Sequence, residues 1–179
     1  MFTLKRQVKE SQDRKAAGSE TSKQSPAELR AQKDISQIDV PPSMKLTFPD
    51  PNTIMSFDVA FTPEDGLYTA GTFRFNISIP VDYPHSAPKV KCMTKVYHPN
   101  IDMDGNVCLN ILRQDWKPVL TLNAVLYGIQ LLFSEPNPED PLNKEAAELM
   151  RKNPAAFRQN VLQSVRGGYV SGVYYPKAS

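Results

Sequence analysis

Among the side chains able to form covalent or metal bonds, the chain offers two cysteines, Cys92 and Cys108, and two histidines, His85 and His98. Cys92 alternates with its neighbours in Lys89–Met93, where a free thiol behaves as a small buried hydrophobe. Cys108 stands in Ile101-Asp102-Met103-Asp104-Gly105-Asn106-Val107-Cys108-Leu109-Asn110, a run of turn formers and polar amides. Three chemistries for that run are tested by spacing. Asp102, Asp104 and Asn106 imitate the start of a calcium loop, but Val107 and Arg113 occupy the positions where glycine and glutamate are required. His98, Cys92 and Cys108 supply too few ligands for an obvious zinc site. A papain-like nucleophile wants its histidine far downstream, and both histidines here precede Cys108. A cysteine without an evident base remains. Such a thiol, with a pKa of about 8.5, is a few per cent thiolate near neutrality. That suffices for exchange with an activated thioester and is poor against a peptide bond, so the chemistry leans towards acyl carriage.

The elements that would position Cys108 follow from pattern. Residues 1–24 are polar and read as a flexible arm ahead of a folded domain over 25–179. Ser25-Pro26-Ala27-Glu28 is a capping box with proline at the first helical position, opening a helix to about Ile38. Period-two runs follow: Met44, Leu46, Phe48; then Met55, Phe57, Val59, Phe61; then Phe73, Phe75, Ile77, Ile79. Turn chemistry lies between them, and a fourth strand is expected near Lys89–Met93, giving a four-stranded antiparallel meander. From Tyr97 to Pro118 periodicity fades, and a segment of that length inside a domain usually carries function. Thr121 is expected to cap a helix with Leu122, Val125, Leu126, Ile129, Leu132 and Phe133 inward. Asn143 would cap a helix over Lys144–Lys152, and Asn153-Pro154 would open a last one stopped by Gly167-Gly168. The fold class is α+β.

Composition narrows the function. The chain has 179 residues, 40% hydrophobic and 22% charged, with a formal net charge of +2. That balance excludes a membrane span and argues against wholesale disorder. The basic excess sits in the first 25 residues, which leaves a mildly acidic body ill suited to nucleic acid. Two cysteines and no apolar leader after Met1 point to a reducing, intracellular address. Proline is enriched, at 16 residues against 8 glycines.

From Ser25 to Gly168 the chain closely resembles the ubiquitin-conjugating enzyme family. The likeness rests on His98-Pro99-Asn100, on Cys108 eight residues later, on Trp116 with Pro118, and on Pro136-Asn137-Pro138-Glu139-Asp140-Pro141-Leu142. The stretches Val96–Asp102, Cys108–Arg113, Asp115–Thr121 and Asn143–Ala147 resemble the branch of the family serving neddylation, as does Phe2-Thr3-Leu4. The resemblance implies that Cys108 accepts a modifier from a heterodimeric activating enzyme as a thioester and passes it to a substrate lysine. It implies Asn100 as oxyanion donor or loop brace, and Asp140 as the group orienting the incoming lysine. His98 and Pro99 become structural support, and Trp116 a packing wedge under the site. Phe2 and Leu4 would dock the activating enzyme. Pro84, His85, Lys117, Pro118 and Val119 would meet a RING-type ligase, and an acetylated Met1 a co-ligase. Many ubiquitin carriers have an aromatic residue where His85 stands and proline where Ala87 stands, a departure fitting a specialised ligase set for cullin substrates. The same likeness implies no cofactor or metal, a monomer, and a cytoplasmic and nuclear location. A ubiquitin carrier of the same fold, or a non-catalytic adaptor, are the alternatives.

Overall fold

A computed structural model describes residues 24–179; the arm with Met1, Phe2 and Leu4 lies outside the described residues. Helix α1 (Pro26–Ser36) opens as its sequence predicts. The Ser25 hydroxyl accepts from the Glu28 amide at 3.2 Å, and the Glu28 carboxylate accepts from the Ser25 amide at 2.8 Å. The helix stops two residues short of Ile38, where Gln37 turns the chain towards Pro41-Pro42.

Four strands follow, β1 (Met44–Thr47), β2 (Ser56–Phe61), β3 (Phe73–Ser78) and β4 (Lys89–Cys92), in the order β1-β2-β3-β4. Every pairing is antiparallel, with Leu46 opposite Val59, Val59 opposite Phe75, and Phe75 opposite Cys92. Register and side-chain period agree: Met44, Leu46, Phe57, Val59, Phe61, Phe73, Phe75 and Ile77 all face inward. Lys45, Thr47 and Arg74 face water.

A short 3₁₀ turn (Asn110–Leu112) interrupts the irregular segment before α2 (Leu122–Ser134). Helix α2 lays all six of its predicted apolar positions on the inner sheet face. Its Phe133 ring is the hub, 5.4 Å from Phe61, 4.7 Å from Phe73 and 5.9 Å from Phe75. Thr121 precedes this helix in extended conformation, but its side chain makes no capping hydrogen bond. The cap expected there is absent, and Thr121 contributes its carbonyl to the Ala124 amide instead.

Helices α3 (Lys144–Lys152) and α4 (Pro154–Arg166) are both capped by asparagine: Asn143 accepts from Ala146 and Asn153 from Ala156, each at 3.1 Å. Gly167, at φ +89°, ends α4 as expected. Beyond it lies a hairpin that pattern reading missed, β5 (Gly168–Val170) and β6 (Val173–Tyr175). Ser171 (φ +48°) and Gly172 (φ +78°) make its two-residue turn, the doubly left-handed geometry that matches strand twist. No helix among the described residues is long and apolar enough to cross a membrane.

Candidate active site

Three stretches of irregular chain converge after β4: residues 98–101, residues 106–108 and residues 137–143. The first is fixed to the core through His98. Its ring is fully buried, 5.2 Å from both Tyr68 and Phe133. Nδ1 accepts the Asn100 amide at 2.9 Å, so it carries no proton, and Nε2 donates to the Leu132 carbonyl at 3.0 Å. Burial lowers the imidazole pKa to about 4, partly opposed by the Leu132 bond. A ring held neutral, with both nitrogens engaged, locks α2 to residues 98–100.

Pro99 is buried, and its carbonyl accepts the Leu142 and Asn143 amides, both at 2.9 Å. Asn100 continues the joint. Its Oδ1 accepts the Asn137 amide at 2.8 Å, while Nδ2 donates to the carbonyls of Asn137 at 2.7 Å and Asp140 at 3.4 Å. The whole side-chain amide is thus spent on the 137–140 turn. Asn137, which sequence pattern shows only as one member of the Pro136–Leu142 run, emerges as the partner of Asn100. From the other side Arg151 of α3 donates to the Pro138 carbonyl at 2.9 Å.

The stretch bearing Cys108 is pinned by backbone. Isolated bridges pair Lys91 with Asn106 and Ile101 with Val107, and the Cys108 amide donates to the Asn100 carbonyl at 2.9 Å. The residues that imitate a calcium loop close a turn instead. The Asp102 carboxylate accepts the Asp104 and Asn106 amides, each at 2.9 Å, and the Asn106 side chain at 2.7 Å. Gly105 sits at φ +82°, where a β-carbon would fall 2.0 Å from the Cys92 carbonyl oxygen, so only glycine fits. Among the described residues no group of three or more His, Cys, Asp or Glu could hold a metal.

Cys108 is buried, at 6% exposure, yet stands outside the main apolar cluster that contains Cys92. Its Sγ donates to the Asp140 Oδ2 at 3.5 Å, and Asp140 is exposed. Burial raises the Cys108 pKa; the Arg113 charge opposes that rise and the Asp140 carboxylate reinforces it. At rest the group is a shielded thiol facing a carboxylate at the rim of a solvent-facing turn. Cys92 differs in kind. Buried in the core and donating to the Thr94 carbonyl, its thiol is pushed up to about 12 and stays inert.

Trp116 is half-buried against the core. Its ring lies 6.0 Å from Tyr83, and Nε1 donates to the Pro84 carbonyl at 2.8 Å. It therefore joins the loop of Pro84 and His85 to the loop of Lys117, Pro118 and Val119. Of those five residues Pro84 is half-buried and the others are exposed.

The geometry can be compared with known proteins. Residues 30–165 match the family described as ubiquitin-conjugating enzyme. The chain is 51% identical to a Nedd8-conjugating enzyme, UbcE2M, of Drosophila melanogaster over 98% of its length and 95% of the relative's. It is 50% identical to the NEDD8-conjugating enzyme Ubc12 of Arabidopsis thaliana over 99% of its length and 97% of that protein's. Among solved structures, S. cerevisiae Ubc12 superposes with a TM-score of 0.82 at 36% identity, covering 99% of this chain and 98% of the other. The α+β frame with a thiol at a loop rim thus coincides with a family match over most of the chain, and the chain belongs to the ubiquitin-conjugating enzyme family.

Proposed function

We propose that the chain carries NEDD8, the modifier named for its relatives, as a thioester on Cys108 and transfers it to lysine. The observation that carries this reading is the Cys108 thiol 3.5 Å from the Asp140 carboxylate, on a loop braced through Asn100, in a chain alike to NEDD8-conjugating enzymes along nearly its full length.

In loading, the Cys108 thiolate attacks the carbonyl carbon of the modifier's C-terminal residue on the activating enzyme. The new C–S bond forms as the old one breaks, and the activating enzyme's thiolate leaves. Both acyl bonds are thioesters, so the exchange is near balance and needs no strong base. In transfer, a lysine amine attacks the same carbon and Cys108 leaves as thiolate. The lysine ammonium, of pKa near 10.4, must first lose a proton. Asp140, exposed and 3.5 Å from the sulfur, accepts a hydrogen bond from the approaching amine and orients it, and the proton passes to water. Asn100 serves this step as a brace: its amide fixes the turn that presents Asp140. Delivery of Asn100 to an oxyanion would require breaking bonds of 2.7–2.8 Å to Asn137.

Phe2 and Leu4 extend the activating-enzyme contact, and Met1, acetylated, seats in a co-ligase. A RING-type ligase binds the Pro84–His85 and Lys117–Val119 loops, and cullins supply the acceptor lysine. ATP is consumed by the heterodimeric activating enzyme; the conjugating enzyme itself needs neither metal nor cofactor. It works as a monomer in cytoplasm and nucleus. The test is Cys108→Ser, loaded with NEDD8, activating enzyme and ATP. A thiol-resistant oxyester on residue 108 is expected, since an alkoxide is the poorer leaving group. The same adduct from Cys92→Ser would refute the assignment.

A further inference from the structure

Helix α1 contributes a nearly buried carboxylate that the chemistry at Cys108 does not use. Asp34 is 5% exposed. Its Oδ1 accepts from Arg30 Nε at 3.0 Å, and its Oδ2 accepts the Tyr83 hydroxyl. Arg30 reaches further, donating through a terminal nitrogen to the Leu120 carbonyl at 2.9 Å, with its guanidinium 5.6 Å from the Tyr83 ring centre. Trp116 closes the circuit by its bond to the Pro84 carbonyl and its packing on Tyr83. These contacts tie α1 to both loops.

The attachment points lie close to exposed side chains. Tyr83 and Pro84 immediately precede exposed His85, Trp116 precedes Lys117, and Leu120 follows Val119, which is 79% exposed. Each anchor lies within two residues of a side chain facing water, while Asp34 and Tyr83 themselves are almost wholly covered. Holding a carboxylate at 5% exposure costs desolvation that apolar packing would have avoided. What the ionic cluster supplies in return is direction: a fork of guanidinium bonds and a phenol bond have one geometry each, where an apolar contact has many. Burial, and then the Asp34 bond, raise the Tyr83 phenol well above its ordinary range, so it remains a donor at any working pH.

We infer that Arg30, Asp34 and Tyr83 are positioning residues that fix the Pro84–His85 loop against the Lys117–Val119 loop, and so set how strongly a ligase stimulates transfer from Cys108. Asp34 and Tyr83 act through the loops, touching neither ligase nor the reacting sulfur. A surface prealigned in this way spares the ligase the loop ordering that otherwise subtracts from affinity. The inference rests on the function proposed above.

Trp116 is the chain's one tryptophan, so its indole N–H gives an unambiguous resonance. The test compares the full chain with Tyr83→Phe, which keeps the ring and loses one hydroxyl, and with Asp34→Asn. Indole hydrogen exchange and discharge of the NEDD8 thioester to free lysine are followed, the latter with and without a RING-domain ligase. In Tyr83→Phe, exchange is expected to quicken about tenfold and ligase-stimulated discharge to fall about tenfold, the scale of one buried hydrogen bond. Loading and unstimulated discharge are expected to stay within about twofold. Equal losses with and without ligase would mean general destabilisation and overturn the inference, as would full ligase stimulation of Tyr83→Phe. Should the unsubstituted chain form no thioester on Cys108, the functional reading itself fails and takes the inference with it. If it loads normally and Tyr83→Phe still responds fully to the ligase, the positioning role alone is refuted.

Discussion

Titrating the protein from pH 7 to pH 4 protonates His98 in the unfolded chain well before the native one. The unfolded imidazole has a pKa near 6.5, and burial among Tyr68 and Phe133 lowers the native value to about 4. Because the folded value is depressed, the unfolded state binds the proton first. The histidine's contribution is therefore complete above about pH 6.5 and is lost as pH falls towards 4. Integrated over that window at 1.36 kcal/mol per unit, the loss is about 3 kcal/mol. For a chain of this size it corresponds to a fall in Tm of about 6–12 °C. Carboxylates also titrate in this range, so the informative quantity is a difference. Urea unfolding is measured at half-unit intervals for the native chain and for His98→Gln, whose amide takes up no proton in this range. The variant's stability should decline less between pH 7 and pH 4, by about 3 kcal/mol. Parallel stability curves would refute the reasoning, because they would show that His98 takes up its proton as readily in the native state.

Three further outcomes are expected around the same site. Asn100→Ala frees the Asn137 amide, whose hydrogen exchange should accelerate about tenfold for one lost hydrogen bond; unchanged protection would argue that Asn100 is no brace. Asp140→Asn removes the negative charge that helps raise the Cys108 pKa, so the thiolate fraction at a pH of about 7.5 rises and alkylation by iodoacetamide quickens. Intrinsic nucleophilicity falls less steeply than the thiolate fraction climbs, which fixes the sign; lysine transfer should slow in the same variant, and slower alkylation would contradict the electrostatic account. Gly105→Ala drives a methyl group onto the Cys92 carbonyl at a left-handed backbone position and should destabilise the fold by more than about 1 kcal/mol, read from urea midpoints; a neutral substitution would show that the Asp102–Asn106 turn is not required.

Local signals in the sequence carried the frame. The Ser25–Glu28 capping box, the asparagine caps at 143 and 153, and the period-two runs of the meander are each decided by contacts within a few residues, and they appear in the structure as read. Thr121 failed as a cap because its threonine type suits the position but its side chain forms no such bond. The C-terminal hairpin was missed although Ser171-Gly172 between Val170 and Val173 is a two-residue hairpin signal; strands of three residues offer too little alternation to stand out. Within the site, the placement of Cys92 in a core strand and of Cys108 outside the core was legible from strand alternation against turn chemistry. The joints were not. Asn100 with Asn137, His98 with Leu132, and Asp34 with Tyr83 span 34 to 49 residues, and no local pattern ties one partner to the other. The bond from Trp116 to Pro84 was hidden for the same reason, since the two lie 32 residues apart.

The most direct measurement pairs the chain with the two activating systems side by side. Purified protein is incubated with ATP and either NEDD8 and its activating enzyme or ubiquitin and its own, and the products are resolved with and without reductant. A reductant-sensitive adduct with NEDD8, mapped by mass spectrometry to Cys108 and slowed when residues 1–24 are removed, is predicted. An adduct formed with ubiquitin alone, or one mapped to Cys92, would contradict the account.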